Sequence, residues 1–515
     1  MVKQTLVALQ RKLRKGFGIL ANFGFVLKKT LVSFSKFKSL VQRVVNLVER
    51  KGVLNVLSNF AKYVSFASRL LKAENTFPIN VTPPPVTSNI HLDEYSTVEP
   101  LNVSVSVIIP TYNAGHEFHW LLRKLNSQKG LSNIQIVIVD SGSDDETPAM
   151  AEKENCELVE ILQSEFSHSY SRNIGAENAT GDYLLFMVQD AYPIGDYWLF
   201  SMVNYLLVHG KENVVAVSCG EYCRLDSDLV YDCDVDTHQK FLMCKEEDRI
   251  GEFWSNEHRA LRLGGQLSDV SCLISRQLFS QYRYQGDYAE DLDLGIRLIK
   301  NGYKIAMLAS TKTIHSHNRP AYYYLKRSFV DTTHIVRKFD DFEYPAIKSF
   351  RGLFVGIVSA ACGLTALIRN FDLDLGQKCL HEAMLYSDEW LGNHLSKLDL
   401  DGEIDLLDDD LTRRLVDYRQ IFLRDIGDIS DEERDGAIIF YDEFRGRLSH
   451  FDRYASEIYL QQDGSLREEL VKMFTKNFAS TVGSCLGFLL LGKRHLDGQE
   501  IESVERIRLD LQAGI

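Results

Sequence analysis

Asp190 is a lone acid where the apolar run YLLFMV should end, and His315 and His317 stand two apart behind a later strand-like run. Open α/β sheets bind ligands at the carboxyl ends of their strands, so a carboxylate placed there points to a metal or a charged ligand. One Asp together with phosphate oxygens suits Mg2+, whereas Mn2+ also accepts an imidazole. Residues two apart share a face if the strand continues, which makes the histidine pair a candidate for metal or phosphate contact. A third cluster, Glu290, Asp291 and Asp293, crowds negative charge at the start of a helix. The helix dipole favours charge there whether or not it does chemistry, but a carboxylate held in a pocket can also take a proton from a hydroxyl.

Two earlier strand ends offer a different chemistry. The first closes on Pro110, Thr111, Tyr112 and Asn113, and the second on Asp140, followed by Ser141 and Gly142 in the turn-rich SGSDDET. A hydroxyl, an aromatic ring, an amide and a carboxylate on adjacent strands could grip a nucleoside, the ring by stacking and the carboxylate by accepting from base N–H or ribose hydroxyls. No G-x-G-x-x-G follows either strand, which disfavours a Rossmann dehydrogenase. Cys219, Cys223, Cys233 and Cys244 are spaced by four, ten and eleven positions and lack the paired pattern of zinc sites, so they read as ordinary semi-buried thiols.

The elements that must position these residues are legible from Val103 onward. VSVSVIIP, IQIVIVD, CELVEIL and YLLFMV alternate with helical patterns from about Gly115, after Glu146 and around Ser169 to Ala179. Near-continuous apolar strands alternating with helices predict a mostly parallel sheet with helices on both faces, an α/β domain over residues 103–335. Residues 336–515 read as a mainly helical, acidic region. Its two long apolar stretches, Gly352 to Ile368 and Phe478 to Gly492, sit at or under the lower limit for a spanning helix and read as buried bundle helices.

The remaining N-terminal sequence is of another kind. Residues 1–75 carry 15 Lys or Arg against Glu49 and Glu74, whereas the rest of the chain holds 43 basic and 69 acidic residues. Leu40, Val41, Val44, Val45 and Val48 share one helical arc, and Lys36, Arg43 and Arg50 share another. That pattern predicts a basic amphipathic helical region in peripheral contact with an anionic membrane, and the competing reading is a hairpin packed on the protein's own acidic body. Residues 76–102, with Pro78, Pro83, Pro84, Pro85 and Pro100, read as a linker. Nine scattered cysteines without a disulfide framework, and no secretory signal pattern, predict a reducing cytoplasmic compartment at the inner face of the cell membrane.

VSVIIPTYNAG with IVIVDSGSDDET resembles the opening of the nucleotide-sugar-binding half of glycosyltransferase family 2, inverting enzymes of the GT-A fold. FSHSYSRNIG and QDAYP are similar to bacterial rhamnosyltransferase-like members. The resemblance covers residues 103 to about 320 and implies a nucleoside diphosphate donor, dTDP-rhamnose or a UDP-sugar. It implies a saccharide or lipid-linked acceptor in cell-surface polysaccharide synthesis, a Mn2+ or Mg2+ cofactor and no nucleic acid partner. It places Arg172 and Asn173, with His168 before them, at the nucleotide-sugar pocket. The family's Asp-x-Asp metal motif falls on Val188, Gln189 and Asp190, so the first carboxylate is gone. The missing ligand must then come from the diphosphate, from water, or from His315 or His317. The block AEDLDLGIRLIKNGYKIAMLASTKTIHSH implies Asp291 as catalytic base, with Glu290 as runner-up and Arg297 as a helix residue within reach of phosphate. The rival readings are a catalytically silent nucleotide-sugar module, suggested by Val188, and a sugar nucleotidyltransferase, whose Gly- and Arg-rich phosphate loop is not seen in PTYNAGHEF.

Overall fold

A computed structural model describes residues 100–370, 391–392, 397–455, 464–491 and 498–512, except 225–226, 346, 348 and 425–426. The basic arm 1–75 and the linker, up to residue 99, lie outside the described residues. In chain order the first elements are β1 (Leu101–Thr111), α1 (Phe118–Asn126), β2 (Leu131–Asp140), α2 (Thr147–Lys153), β3 (Glu157–Glu160), α3 (His168–Glu177), β4 (Tyr183–Met187) and β5 (Tyr192–Pro193). They are followed by α4 (Trp198–His209), β6 (Val214–Tyr222), α5 (Leu229–Phe241), β7 (Arg249–Gly251), α6 (His258–Gly265), β8 (Ser271–Ser275), α7 (Arg276–Tyr282), α8 (Glu290–Lys300) and β9 (Lys304–Ile314).

The strands form one sheet in the order β3-β2-β1-β4-β8-β6-β9-β5, with β7 paired to β9. The half from β3 to β4 is parallel, as the apolar runs predict. β8 then enters antiparallel between β4 and β6, and β6 resumes parallel pairing with β9. Successive side chains of a strand point to opposite faces. Accordingly Val105, Val107 and Ile109 pack with α1 and α4 on one side of β1, whereas Ile108 packs with the core around α7 and α8 on the other. Both faces are therefore dry, and the polar strand ends are the part of the sheet left for a ligand.

α8 is set by a close backbone crossing over α6. A Cβ added at Gly295 would lie 1.9 Å from the carbonyl oxygen of Gly265, so no side chain fits there. The crossing fixes the helix whose first turn carries Glu290 and Asp291.

The remaining elements are α9 (Ala321–Lys338), α10 (Phe350–Asn370), α11 (Asp409–Phe422), α12 (Asp431–Ala455), α13 (Gly464–Leu491) and α14 (Gly498–Gln512). Phe350–Arg369 is the one described helix long and apolar enough to cross a membrane, and 89% of its apolar window is buried inside the protein. α9 runs through position 335 and lies against α13, where a Cβ on Gly483 would meet the Leu325 carbonyl oxygen at 2.1 Å. Leu325 and Phe329 of α9 share one core with Leu229 and Val230 of α5 and with α10 to α13. An ion pair between buried Lys476 of α13 and buried Asp228, the N-cap of α5, adds a polar tie between the two regions.

Candidate active site

The nucleotide-side loops are held by their own side chains. Asp140 is 1% exposed and accepts from the Thr111 hydroxyl at 2.8 Å, the Ser143 hydroxyl at 2.6 Å and the N–H groups of Gly142 and Ser143 at 3.1 and 2.8 Å. Ser141, also buried, donates through its hydroxyl to the Thr111 carbonyl. The Gln189 amide pairs with the backbone of Tyr112, accepting from its N–H at 2.9 Å and donating to its carbonyl at 3.2 Å. Asn113 adopts φ 44°, and its side chain accepts from the Asp144 N–H. These bonds leave the Tyr112 ring exposed at the end of β1, free to stack on a base.

Next to this loop, Asp190, His315 and His317 converge, with one potential ligand atom from each lying within 4.8 Å of the others. Asp190 follows β4, and the histidines follow β9. His315 Nε2 is 3.5 Å from Asp190 Oδ1, and His317 Nδ1 is 3.3 Å from Asp190 Oδ2. On the far side of its ring, His315 Nδ1 is 2.9 Å from Glu221 Oε2 and 3.0 Å from the Tyr231 hydroxyl. Burial opposes charge on His315, but the contacts with Asp190 and Glu221 outweigh it and push its pKa up to about 9. Burial holds His317 down at about 4 despite Asp190. The Asp190 carboxyl is below its usual range because its histidine neighbours outweigh burial. Beside the cluster, Asp190, Arg224, Ser316, His317, Asn318 and Arg319 line an open pocket of about 290 Å³. His315 Nε2 is buried without a hydrogen-bond partner, and it faces a carboxylate. One carboxylate and two imidazoles form a donor set that fits a divalent cation.

The acidic pair sits at the start of α8, whose N-cap, Ala289, is in the left-handed region at φ 49°. Glu290 is 6% exposed and paired with Arg172, Nη1 to Oε1 at 2.5 Å. Arg172 Nε also faces Asp269 Oδ2 at 3.2 Å, and Asp269 accepts from the Tyr284 hydroxyl at 2.5 Å. Asp291 stands next to this buried network without a cation of its own. Burial first, then the negative charges of Asp269 and Glu290, raises its pKa well above the ordinary carboxylate value. A carboxyl raised in this way is matched to proton transfer near neutral pH.

Residues 106–234 match the family model described as glycosyl transferase family 2. The chain carries a glycosyltransferase family 2 domain. Its similarity to the O-antigen chain rhamnosyltransferase of Salmonella typhimurium is 26% identity over 229 residues, covering 42% of this chain and 67% of that protein. The O-antigen chain rhamnosyltransferase of Salmonella anatum is 28% identical over 230 residues, with the same coverage. Among solved structures, the mannosyltransferase of Pyrobaculum calidifontis in complex with GDP-Man and Mn2+ aligns at 16% identity and TM-score 0.38, over 78% of this chain and 96% of that one.

Several side chains of the expected nucleotide set are buried or bonded within the protein. Arg172 is 3% exposed between Asp269 and Glu290, and Asn173 bonds both ways to the backbone of Tyr284, so this pair braces the acid site from behind. Asp140 and Ser141 lie beneath the loop, and Gln189 is engaged with Tyr112. Glu290 is locked to Arg172. Arg297 donates to Asp293 and to the carbonyls of Tyr282 and Arg283. Pro110 is partly buried in β1, Gly142 supplies φ 87° for the loop, and His168 is exposed at the start of α3. Val188, where the family motif has its first carboxylate, packs against the sheet core. Sequence reasoning missed Glu221, Tyr231 and Asp269. Glu221, near the end of VVAVSCGEY, offers the same signal as Asp190, an acid closing a β-rich run; Asp269 offers none.

Proposed function

We propose that this glycosyltransferase works with inversion, moving a sugar from a nucleoside diphosphate donor to a saccharide acceptor. The convergence of Asp190, His315 and His317 beside the Tyr112 loop carries this reading. Tyr112 stacks on the base, Asp190 and the two histidines hold a divalent cation, and Arg224 and Arg319 give the adjoining pocket a positive lining for anionic groups. When bound, the cation neutralises charge on the leaving diphosphate. Asp291 takes the proton of the acceptor hydroxyl, while Arg172 and Glu290 hold the turn that carries it. The donor histidines favour Mn2+ over Mg2+.

The Salmonella relatives support a rhamnosyl donor such as dTDP-rhamnose, with a UDP-sugar as the alternative, and a cell-surface polysaccharide acceptor, saccharide or lipid-linked. The excess of basic residues in 1–75 supports peripheral attachment at the cytoplasmic face of the membrane, with 76–102 as tether, 103–335 as catalytic domain and 336–515 as helical domain. The test is a thermal-shift panel of nucleoside diphosphate sugars with and without Mn2+, followed by transfer assays with the stabilising donor. Asp291→Asn should lower transfer by about 10²–10⁴-fold with donor binding retained. Full activity in that variant would remove the base assignment, and the absence of any Mn2+-dependent shift would remove the donor-site reading.

A further inference from the structure

Glu221 is a nearly buried carboxylate, 18% exposed at its side chain, that the transfer chemistry above leaves without a task. It stands one residue before the end of β6, which runs parallel to β9 with Tyr222 opposite Ile314. The His315 N–H donates to the Tyr222 carbonyl at 2.9 Å, so the backbone that carries Glu221 also sets the backbone of the histidine. The charged or titratable groups around Glu221 include His315, His238, His317, Tyr231 and Cys219, and His315 is hydrogen-bonded to its carboxylate.

Two acceptors cannot face each other at hydrogen-bond distance. With Glu221 Oε2 at 2.9 Å, His315 Nδ1 must carry the ring proton, because a bare lone pair there would oppose the carboxylate. The Tyr231 hydroxyl, at 3.0 Å from the same nitrogen, lies edge-on to the ring and limits its rotation. With Nδ1 committed to Glu221, Nε2 is the nitrogen turned to Asp190 Oδ1, 3.5 Å away, and the one that can give up its proton to bind a cation. Without metal a proton on Nε2 fills the place between ring and carboxylate, and a bound divalent cation would replace that proton and take the lone pair. Glu221 touches only the far side of the ring and is not among the three residues able to share an ion.

We propose that Glu221 is a positioning residue for the cation site: by holding the Nδ1 proton of His315 it fixes the tautomer and ring orientation that turn Nε2 toward Asp190. The inference rests on the cation reading given above and deepens it. Outer carboxylates of this kind change metal affinity by about 10–100-fold when removed.

The experiment titrates Mn2+ alone into the full chain, followed by electron paramagnetic resonance and calorimetry, for wild type, Glu221→Gln, Glu221→Ala and Asp190→Ala. Long-range nitrogen–proton correlation spectra of the metal-free proteins report the His315 tautomer. The expected result is a graded loss of Mn2+ affinity, about 10-fold for Glu221→Gln, whose carbonyl still accepts from Nδ1–H, and about 100-fold for Glu221→Ala. Recorded above pH 9, where the ring is neutral, the spectra should show Nδ1 protonated in wild type and a mixture of tautomers in Glu221→Ala. If Glu221→Ala fails to fold, Glu221→Gln decides alone. Wild-type affinity in the Glu221 variants, with Asp190→Ala unable to bind, would overturn the role of Glu221 and leave the cation site standing. Failure of wild type to bind Mn2+ would overturn both.

Discussion

Arg172 Nη1 lies 2.5 Å from Glu290 Oε1 with both side chains buried, although 118 residues separate them. This pair divides the labour of two adjacent acids. Glu290 has a buried cation partner in Arg172, whereas Asp291, one position further on, stands beside the negative charges of Asp269 and Glu290, which outweigh Arg172. Two carboxylates in successive positions are thus given different surroundings by what the fold sets opposite them.

Replacing Arg172 by Met should leave Asp269 and Glu290 as uncompensated buried carboxylates. Breaking a buried pair from one side costs about 3–5 kcal/mol. Urea unfolding should show a loss of that size, and adding Asp269→Asn and Glu290→Gln in the same chain should restore most of it. A loss under about 1 kcal/mol, the range of an exposed pair, would mean that water reaches the network.

Asp291 ties activity to pH in a direction fixed by its shift. Its folded-state pKa lies above the unfolded value of 3.8, so between these two the native protein holds a proton that the unfolded chain has released, and stability falls as pH rises. Asp291→Asn should therefore melt higher than wild type at neutral pH and lose that advantage below pH 3.8. The kcat/KM of wild type should climb through a limb displaced above the ordinary carboxylate range, since the base must be deprotonated. A limb centred near 3.8 would sink the assignment.

Lys476 and Asp228 test whether the helical region supports the catalytic domain. Asp228 caps α5 by accepting from Val230 and Tyr231, and Tyr231 reaches His315. Lys476→Met should cost about 3–5 kcal/mol by leaving Asp228 buried and unpaired, and should lower transfer as the α5 terminus loosens. Lys476→Arg should recover part of both. Unchanged unfolding and turnover in Lys476→Met would show the two regions to be energetically independent.

The sequence was most legible where chemistry and local pattern coincide. Strand ends are visible as the points where apolar runs stop, and Asp190, Tyr112 and the acidic turn before α8 all lie at such points or at a helix start. The histidine pair could be linked to Asp190 because one missing carboxylate in a known motif defined what was being sought. Side-chain direction was not legible. Arg172 and Asn173 belong to a recognised motif, yet only the packing of α3 against the loop at Tyr284 decides that they face inward. Asp269 and Glu221 escaped notice because they reach the site through the antiparallel insertion of β8 and the β6–β9 pairing, which no local period announces.

The contact of α9 with α13 has a consequence for heredity. Gly483 meets the Leu325 carbonyl so closely that neither helix tolerates a stranger, and Leu325 and Phe329 are buried in a core shared with the helical region. A recombination event that moved the catalytic segment into another gene, cut after α9, would carry a bare apolar stripe with it. The heritable unit of this transferase therefore extends at least to Leu491, the end of α13, well past the proposed site.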